Sequence, residues 1–302
     1  MPNKRASRRF FLKSGLASGG AVSLAPQFAV QPADAAETPP PYTLSINIEI
    51  LFPGSMPKPE RVQRVADQGF KAYSFWSASE ADQDAMLKIQ QANGMKCASI
   101  SGTGAAGSST GLTKAGAEQA YFDEVRARAR IARKMGGAQP IIFVGRVQPD
   151  VPWETQRAQI VKGLKTAGDI AKEENVMLVM EPLSTGPNQV RMALDTAAVA
   201  FPAIDEVAHP NVKVCFDMYH LQLMEGNIVT HLRQGLQRGL IGLVQIGEVP
   251  GRREPGTGEI DYAFVMRVLR EMKWSGYVDT EMGTSSTPEA AMLLTRKMSM
   301  EN

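Results

Sequence analysis

After its first forty residues the chain alternates between two hydrophobic rhythms. Short apolar runs bounded by turn-forming residues recur at 44–51, 71–75, 96–100, 140–144, 176–180, 212–216, 241–246 and 277–280, and these read as strands. Between them apolar residues return at three- and four-residue steps, the period of one buried helix face. This second rhythm occupies 58–68, 81–92, "AEQAYFDEVRARARIARKM" (117–135), "WETQRAQIVKGLKTAGDIAKEE" (153–174), 193–207, 228–235, 262–272 and 288–298. Gly69, Gly94, Gly136 and Gly276 each follow a helical run just before the next strand, where a left-handed residue ends a helix at least cost.

Eight alternations of strand and helix predict a single closed (β/α)8 TIM barrel, and 302 residues is a natural length for one. The rival α/β architecture, an open doubly wound sheet, usually carries a glycine-rich phosphate turn after its first strand. Here that turn reads "FPGSMPKP". The glycine-rich "SGTGAAGSSTG" (101–111) follows the third strand instead and lacks the Gly-Lys-Ser/Thr of a phosphate loop. It reads as a mobile loop over an active site.

Composition changes the picture mainly at the N-terminus. The net charge is +2, but residues 1–35 hold Lys4, Arg5, Arg8, Arg9 and Lys13 against Asp34, so the rest of the chain carries −2. No basic footprint for nucleic acid remains there. "SRRFFLKSG" (7–15), the mild apolar stretch that follows and "ADA" (33–35) resemble a twin-arginine (Tat) export signal with its cleavage site. The resemblance implies recognition by the Tat export machinery and a periplasmic or secreted mature protein beginning near Ala36. Residues 36–42, with "ETPPP", read as a linker, and 43–302 as the barrel. The body has no 18-residue apolar run, so no membrane span is expected in the mature chain. Cys97 and Cys215 fall in separate apolar runs and read as buried free thiols.

The candidate chemistry lies where strands five to eight end. Glu181 follows "VMLVM", Asp217 follows "VKVCF", Gln245 stands in "IGLVQI", and Glu281 follows "GYVDT". Successive members are separated by 36, 28 and 36 residues, each about one βα unit. In a barrel these residues sit on neighbouring strands at the C-terminal rim, where barrel enzymes keep their sites. With strands about 4.8 Å apart, all four side chains can converge on one centre. Three carboxylates so placed repel one another unless a cation sits among them. All-oxygen ligation suits a hard divalent ion, Mg²⁺ or Mn²⁺, better than Zn²⁺.

Four stretches carry a resemblance to a known family: "EPLS" (181–184), "DMYHLQLMEGN" (217–227), "VQIGEVPGRREPGTGEIDY" (244–262) and "EM" (281–282). They resemble the hydroxypyruvate isomerases and, more broadly, the xylose-isomerase-like barrels that include ketose 3-epimerases. The resemblance runs from about Asn47 to the C-terminus. It implies a metal held by Glu181, Asp217, Gln245 and Glu281, with Glu181 and Glu281 doubling as the proton-transfer pair. Gln245 points to the hydroxypyruvate isomerase branch, since the epimerases carry histidine there. His220, three residues past Asp217, and Arg252, in the Pro/Gly loop after strand seven, become substrate contacts. Arg253 reads as a solvated neighbour, and His209 and His231 as surface residues. Two positions depart from the pattern: Ser74 stands in strand two where the isomerases usually place glutamate, and Glu49 in strand one where a small polar residue is more common. Both fall near the expected pocket.

The resulting expectation is a metal-dependent enzyme that isomerises or epimerises an α-hydroxycarbonyl compound, hydroxypyruvate or a sugar, through an enediolate. A lyase acting on an oxidised sugar by the same proton abstraction is the nearest alternative. A non-catalytic periplasmic carbohydrate-binding protein is the alternative from another class. A phosphodiesterase of the endonuclease type needs a His-rich site, which three histidines cannot supply.

Overall fold

A computed structural model describes residues 39–104, 111–186 and 189–300. The expected export signal lies outside the described residues, as do 105–110 of the loop after the third strand. Eight strands are formed: β1 (Thr43–Asn47), β2 (Ala72–Phe75), β3 (Lys96–Ser101), β4 (Gln139–Ile142), β5 (Leu178–Met180), β6 (Val212–Asp217), β7 (Ile241–Ile246) and β8 (Tyr277–Thr280). They pair in sequence order, every pair parallel, and β1 closes on β8. The described helices are α1 (Lys58–Asp67), α2 (Glu80–Ala92), α3 (Glu118–Lys134), α4 (Trp153–Glu173), α5 (Ala197–Val207), α6 (Met218–Met224), α7 (Ile228–Gln237), α8 (Tyr262–Glu271) and α9 (Pro288–Met300). The expected (β/α)8 barrel is the observed fold.

The boundaries differ where local chemistry overrides hydrophobic pattern. β1 ends at Asn47, short of residue 51, because the Asn47 side chain accepts the Glu49 N–H at 2.9 Å and turns the chain. α6 has no counterpart in the sequence reading. Asp217 starts it by accepting the backbone N–H groups of Tyr219 and His220. Gly69, Gly94 and Gly136 have the expected positive φ, at +77°, +60° and +93°. Gly276 does not. Lys273 takes the left-handed conformation after α8, and Gly276 is required because a Cβ there would lie 2.2 Å from the Trp274 ring.

Side chains alternate faces along a strand, so positions two apart share a face. Val179, Cys215 and Leu243 form a buried cluster with Ile141. These residues stand two positions before Glu181, Asp217 and Gln245, so the same alternation that fills the barrel with apolar side chains turns the polar residues inward at its rim. The larger apolar core lies between strands and helices. Cys97 and Cys215 are buried and free, as expected. Among the described residues no helix is long and apolar enough to cross a membrane.

Candidate active site

The C-terminal mouth of the barrel opens into a cavity of about 510 Å³ whose lining includes Glu181, His220, Arg252 and Glu281. Arg252 ties the cluster together. Its Nη2 donates to Asp217 Oδ2 at 2.6 Å, its Nη1 to His220 Nε2 at 2.9 Å, and its Nε to the Glu281 backbone carbonyl at 3.0 Å. The guanidinium also lies over the Tyr219 ring, 4.6 Å from its centroid. The other side of His220 is fixed by Ser184, whose Oγ is 2.7 Å from Nδ1. Because Nε2 accepts from Arg252, the ring carries its proton on Nδ1. Burial pushes the His220 pKa down to about 4, and the neighbouring guanidinium adds to the shift against the pull of Asp217. The imidazole is therefore neutral at pH 7.

The loop opening at Val249 holds this arginine in place. Arg252 adopts φ +47°, a left-handed backbone that costs a non-glycine residue free energy and persists only when its surroundings impose it. The imposing groups are buried glutamates. Glu248 accepts from the backbone N–H groups of Gly256 and Ile260 at 2.8 and 3.1 Å, and Glu254 accepts from the Ser285 N–H at 2.9 Å. The Tyr262 hydroxyl donates to the Gly247 carbonyl at 2.8 Å. The prolines and glycines permit the loop's shape. Glu248, Glu254 and Tyr262, which the sequence reading passed over, fix it. Arg253 is exposed, as expected.

Three carboxylates surround the one guanidinium. Glu181, Asp217 and Glu281 are 5%, 1% and 9% exposed. Burial raises Glu281 to about 7, with Asp217 and Asp279 adding to the shift while Arg252 and a hydrogen bond from Trp76 oppose it. Glu181 is raised well above the usual carboxylate range by burial and by Glu281 and Asp217. For Asp217 the burial penalty is outweighed by Arg252 and His220, and its pKa falls. The arrangement thus sets one carboxylate whose pKa is lowered beside two whose pKa values are raised, the pattern of acid–base pairs.

The donor set fits a divalent cation. Glu181, Asp217 and His220 offer ligand atoms within 4.8 Å of one another. Glu281 Oε2 lies 3.1 Å from Arg252 Nη2 but off its N–H direction, and has no hydrogen-bond partner although buried. Gln245 sits deeper. It pairs in register with Asp217 on one side and Asp279 on the other. Its Oε1 accepts from the Cys215 thiol at 3.0 Å, and its Nε2 donates to Asp279 at 3.2 Å.

The remaining expected residues sort differently. Ser74 does not line the cavity; it lies beneath it, with Oγ 2.8 Å from both carboxylate oxygens of Asp279. Glu49 stays near the rim, where it accepts the Trp76 N–H at 2.9 Å and pairs with Lys58. His209 and His231 are part-buried, close to Asp169 at 3.4 Å and Glu225 at 3.7 Å. Asp279, fully buried, was legible only as a strand position. Its role is to take the Gln245 N–H and thereby set which way the amide faces. Such outer partners typically contribute 10- to 100-fold in metal affinity or activity. Asp279→Asn is accordingly expected to weaken Mn²⁺ binding by roughly 10- to 100-fold in an equilibrium titration followed by electron paramagnetic resonance. An unchanged affinity would show that the Gln245 amide needs no such orientation.

The family model described as a xylose isomerase-like TIM barrel matches residues 62–298. The chain belongs to that family. Within it the chain is similar to hydroxypyruvate isomerase from Escherichia coli (strain K12), with 28% identity over 260 residues, 82% of this chain and 96% of the relative. It is similar also to 2-oxo-tetronate isomerase from Cupriavidus necator, with 28% identity over 226 residues, 74% of this chain and 85% of the relative. Among solved structures, a 3-keto-D-glucoside 4-epimerase from E. coli superposes with TM-score 0.70 at 17% identity, covering 85% of this chain and 97% of that one. At that identity the likeness concerns the fold alone. Membership in the family accounts for the barrel.

Proposed function

We propose that this chain is an isomerase or epimerase of an α-hydroxycarbonyl compound, moving a proton through an enediol with Glu181 and Glu281. The observation that carries the reading is that pair: two buried carboxylates with raised pKa values, both on the cavity wall. The curated relatives, a hydroxypyruvate isomerase and a 2-oxo-tetronate isomerase, support the reaction class. Glu281 lies beside Arg252, whose charge favours the ionised form, and serves as the base. It removes the proton from the hydroxyl-bearing carbon. Glu181, whose pKa is also raised by burial, returns a proton to the neighbouring carbon, while a hydroxyl proton passes between the two oxygens. Neutral His220 and Arg252 hydrogen-bond the oxygens on which charge develops. A divalent ion held by Glu181, Asp217, Gln245 and Glu281, with His220 Nε2 in reach, would supply Lewis-acid polarisation of the carbonyl; the oxygen-rich donor set favours Mg²⁺ or Mn²⁺.

Incubation in D₂O tests the reaction class. A panel of 2-oxo acids and ketoses with Mn²⁺ is expected to include compounds that gain deuterium beside the carbonyl, because a carboxylate-held proton exchanges with solvent before it is returned. Binding without turnover or exchange across the panel would instead support a carbohydrate-binding protein. We further propose export by the Tat machinery to the periplasm, on the strength of Arg8 and Arg9 ahead of the apolar stretch. Replacing both with lysine is expected to leave the precursor in the cytoplasm on fractionation. Normal export of that variant would remove the Tat assignment.

A further inference from the structure

We infer that the substrate is an uncharged ketose or ketoglycoside of at least sugar size, held against Trp76, and not a short 2-oxo acid. This rests on the isomerase reading above and narrows it.

The first observation is the cavity's size and lining. About 510 Å³ is several times what a three-carbon acid fills. Much of the wall is apolar: Ile50, Trp76, Phe143 and Leu183 face Tyr219 and the polar cluster. A three-carbon carboxylate gains little from such a wall, whereas the C–H faces of a sugar ring can pack against it.

The second observation is charge. Arg252 is the one lysine or arginine among the described lining residues, and each of its three nitrogens already has a partner in Asp217, His220 or the Glu281 backbone. The two internal segments not described, "AAGSST" (105–110) and "PN" (187–188), contain no basic residue. Three carboxylates outnumber the guanidinium at this spot. With a divalent cation among them holding all three ionised, the cluster would be neutral, with no excess positive charge for an anionic substrate.

The third observation is Trp76 itself. It is 43% exposed and lines the cavity, so its ring is open to a bound molecule. Its backbone is pinned on both sides: the N–H donates to Glu49 at 2.9 Å, and the carbonyl accepts the Ser101 N–H at 3.2 Å. Its side chain lines the cavity together with Glu281. Glu49, the acid that departs from the family pattern, therefore fixes an aromatic platform next to the base. Stacking there would bring a sugar's hydroxycarbonyl edge to Glu281.

The test compares D-fructose and D-tagatose with hydroxypyruvate on the full mature chain, by turnover and by deuterium exchange. The ketoses are expected to show the higher kcat/KM. Trp76→Phe, which keeps a ring, and Trp76→Ala, which removes it, are expected to separate. Alanine should raise KM for the ketoses by about tenfold or more, with the phenylalanine variant closer to wild type in KM. A higher kcat/KM for hydroxypyruvate, or equal KM values in the two variants, would overturn the inference while leaving the isomerase reading intact. If no compound turns over or exchanges, that reading fails, and calorimetric titration then decides the substrate class alone. Ketose binding weakened by Trp76→Ala supports the inference, and binding of hydroxypyruvate in preference to the ketoses overturns it.

Discussion

Glu281→Gln is expected to lower kcat by about 10²- to 10⁴-fold and to abolish deuterium uptake, the range by which a positioned acid–base group accelerates proton transfer. The substitution is close to isosteric. Glutamine can still accept from Trp76, and the Arg252 Nε bond goes to the backbone carbonyl of residue 281, which the change does not touch. Burial already drives this carboxyl to a pKa of about 7, so the folded protein tolerates its uncharged form. An amide cannot take up the carbon-bound proton, and that is the function removed. The melting temperature should therefore stay near that of the wild type while exchange disappears. Exchange persisting at the wild-type rate, with the variant folded, would assign the base elsewhere, first to Glu181.

How much of this could be read from the chain follows from which forces are local. The barrel was legible because its period-two and period-3.6 patterns repeat eight times, and each repeat constrains the others. The rim residues were legible for the same reason, since Glu181, Asp217 and Glu281 stand immediately beyond or at the ends of predicted strands. Helix α6 was hidden because seven residues are too few to show a helical period; its one local signal was the capping aspartate. Asp279 and Ser74 were hidden for another reason. Their hydrogen bond joins residues 205 positions apart, across β1 from strand two to strand eight, and no pattern along the chain encodes it. The same holds for Glu254 and Ser285 in the arginine loop, 31 positions apart and joined by the fold. Sequence therefore located the chemistry, while the contacts that aim it came from closure of the barrel.

Arg252→Ala is expected to lower kcat/KM by at least about 100-fold, mainly through kcat, and to destabilise the fold by about 3–5 kcal/mol, the cost of stranding a buried charge partner. The family resemblance makes Arg252 a contact for the substrate's carboxylate or hydroxyls, a role whose loss would mainly raise KM. The geometry shifts the weight, because the guanidinium is committed to Asp217, His220 and Glu281. Without it, Asp217 loses the partner that holds its pKa low, and the carboxylates repel one another with nothing between them. His220 also loses the donor that fixes its Nε2 as an acceptor. Added Mn²⁺ should restore part of the lost melting temperature, since a cation among the same carboxylates replaces the missing charge. Arg253→Ala, at an exposed position, should remain close to wild type in both measurements. A larger loss from Arg253 would mean that its neighbour is ornamental to the site. An Arg252→Ala variant with unchanged kcat, unchanged stability and a raised KM for acids alone would return Arg252 to the role of carboxylate clamp.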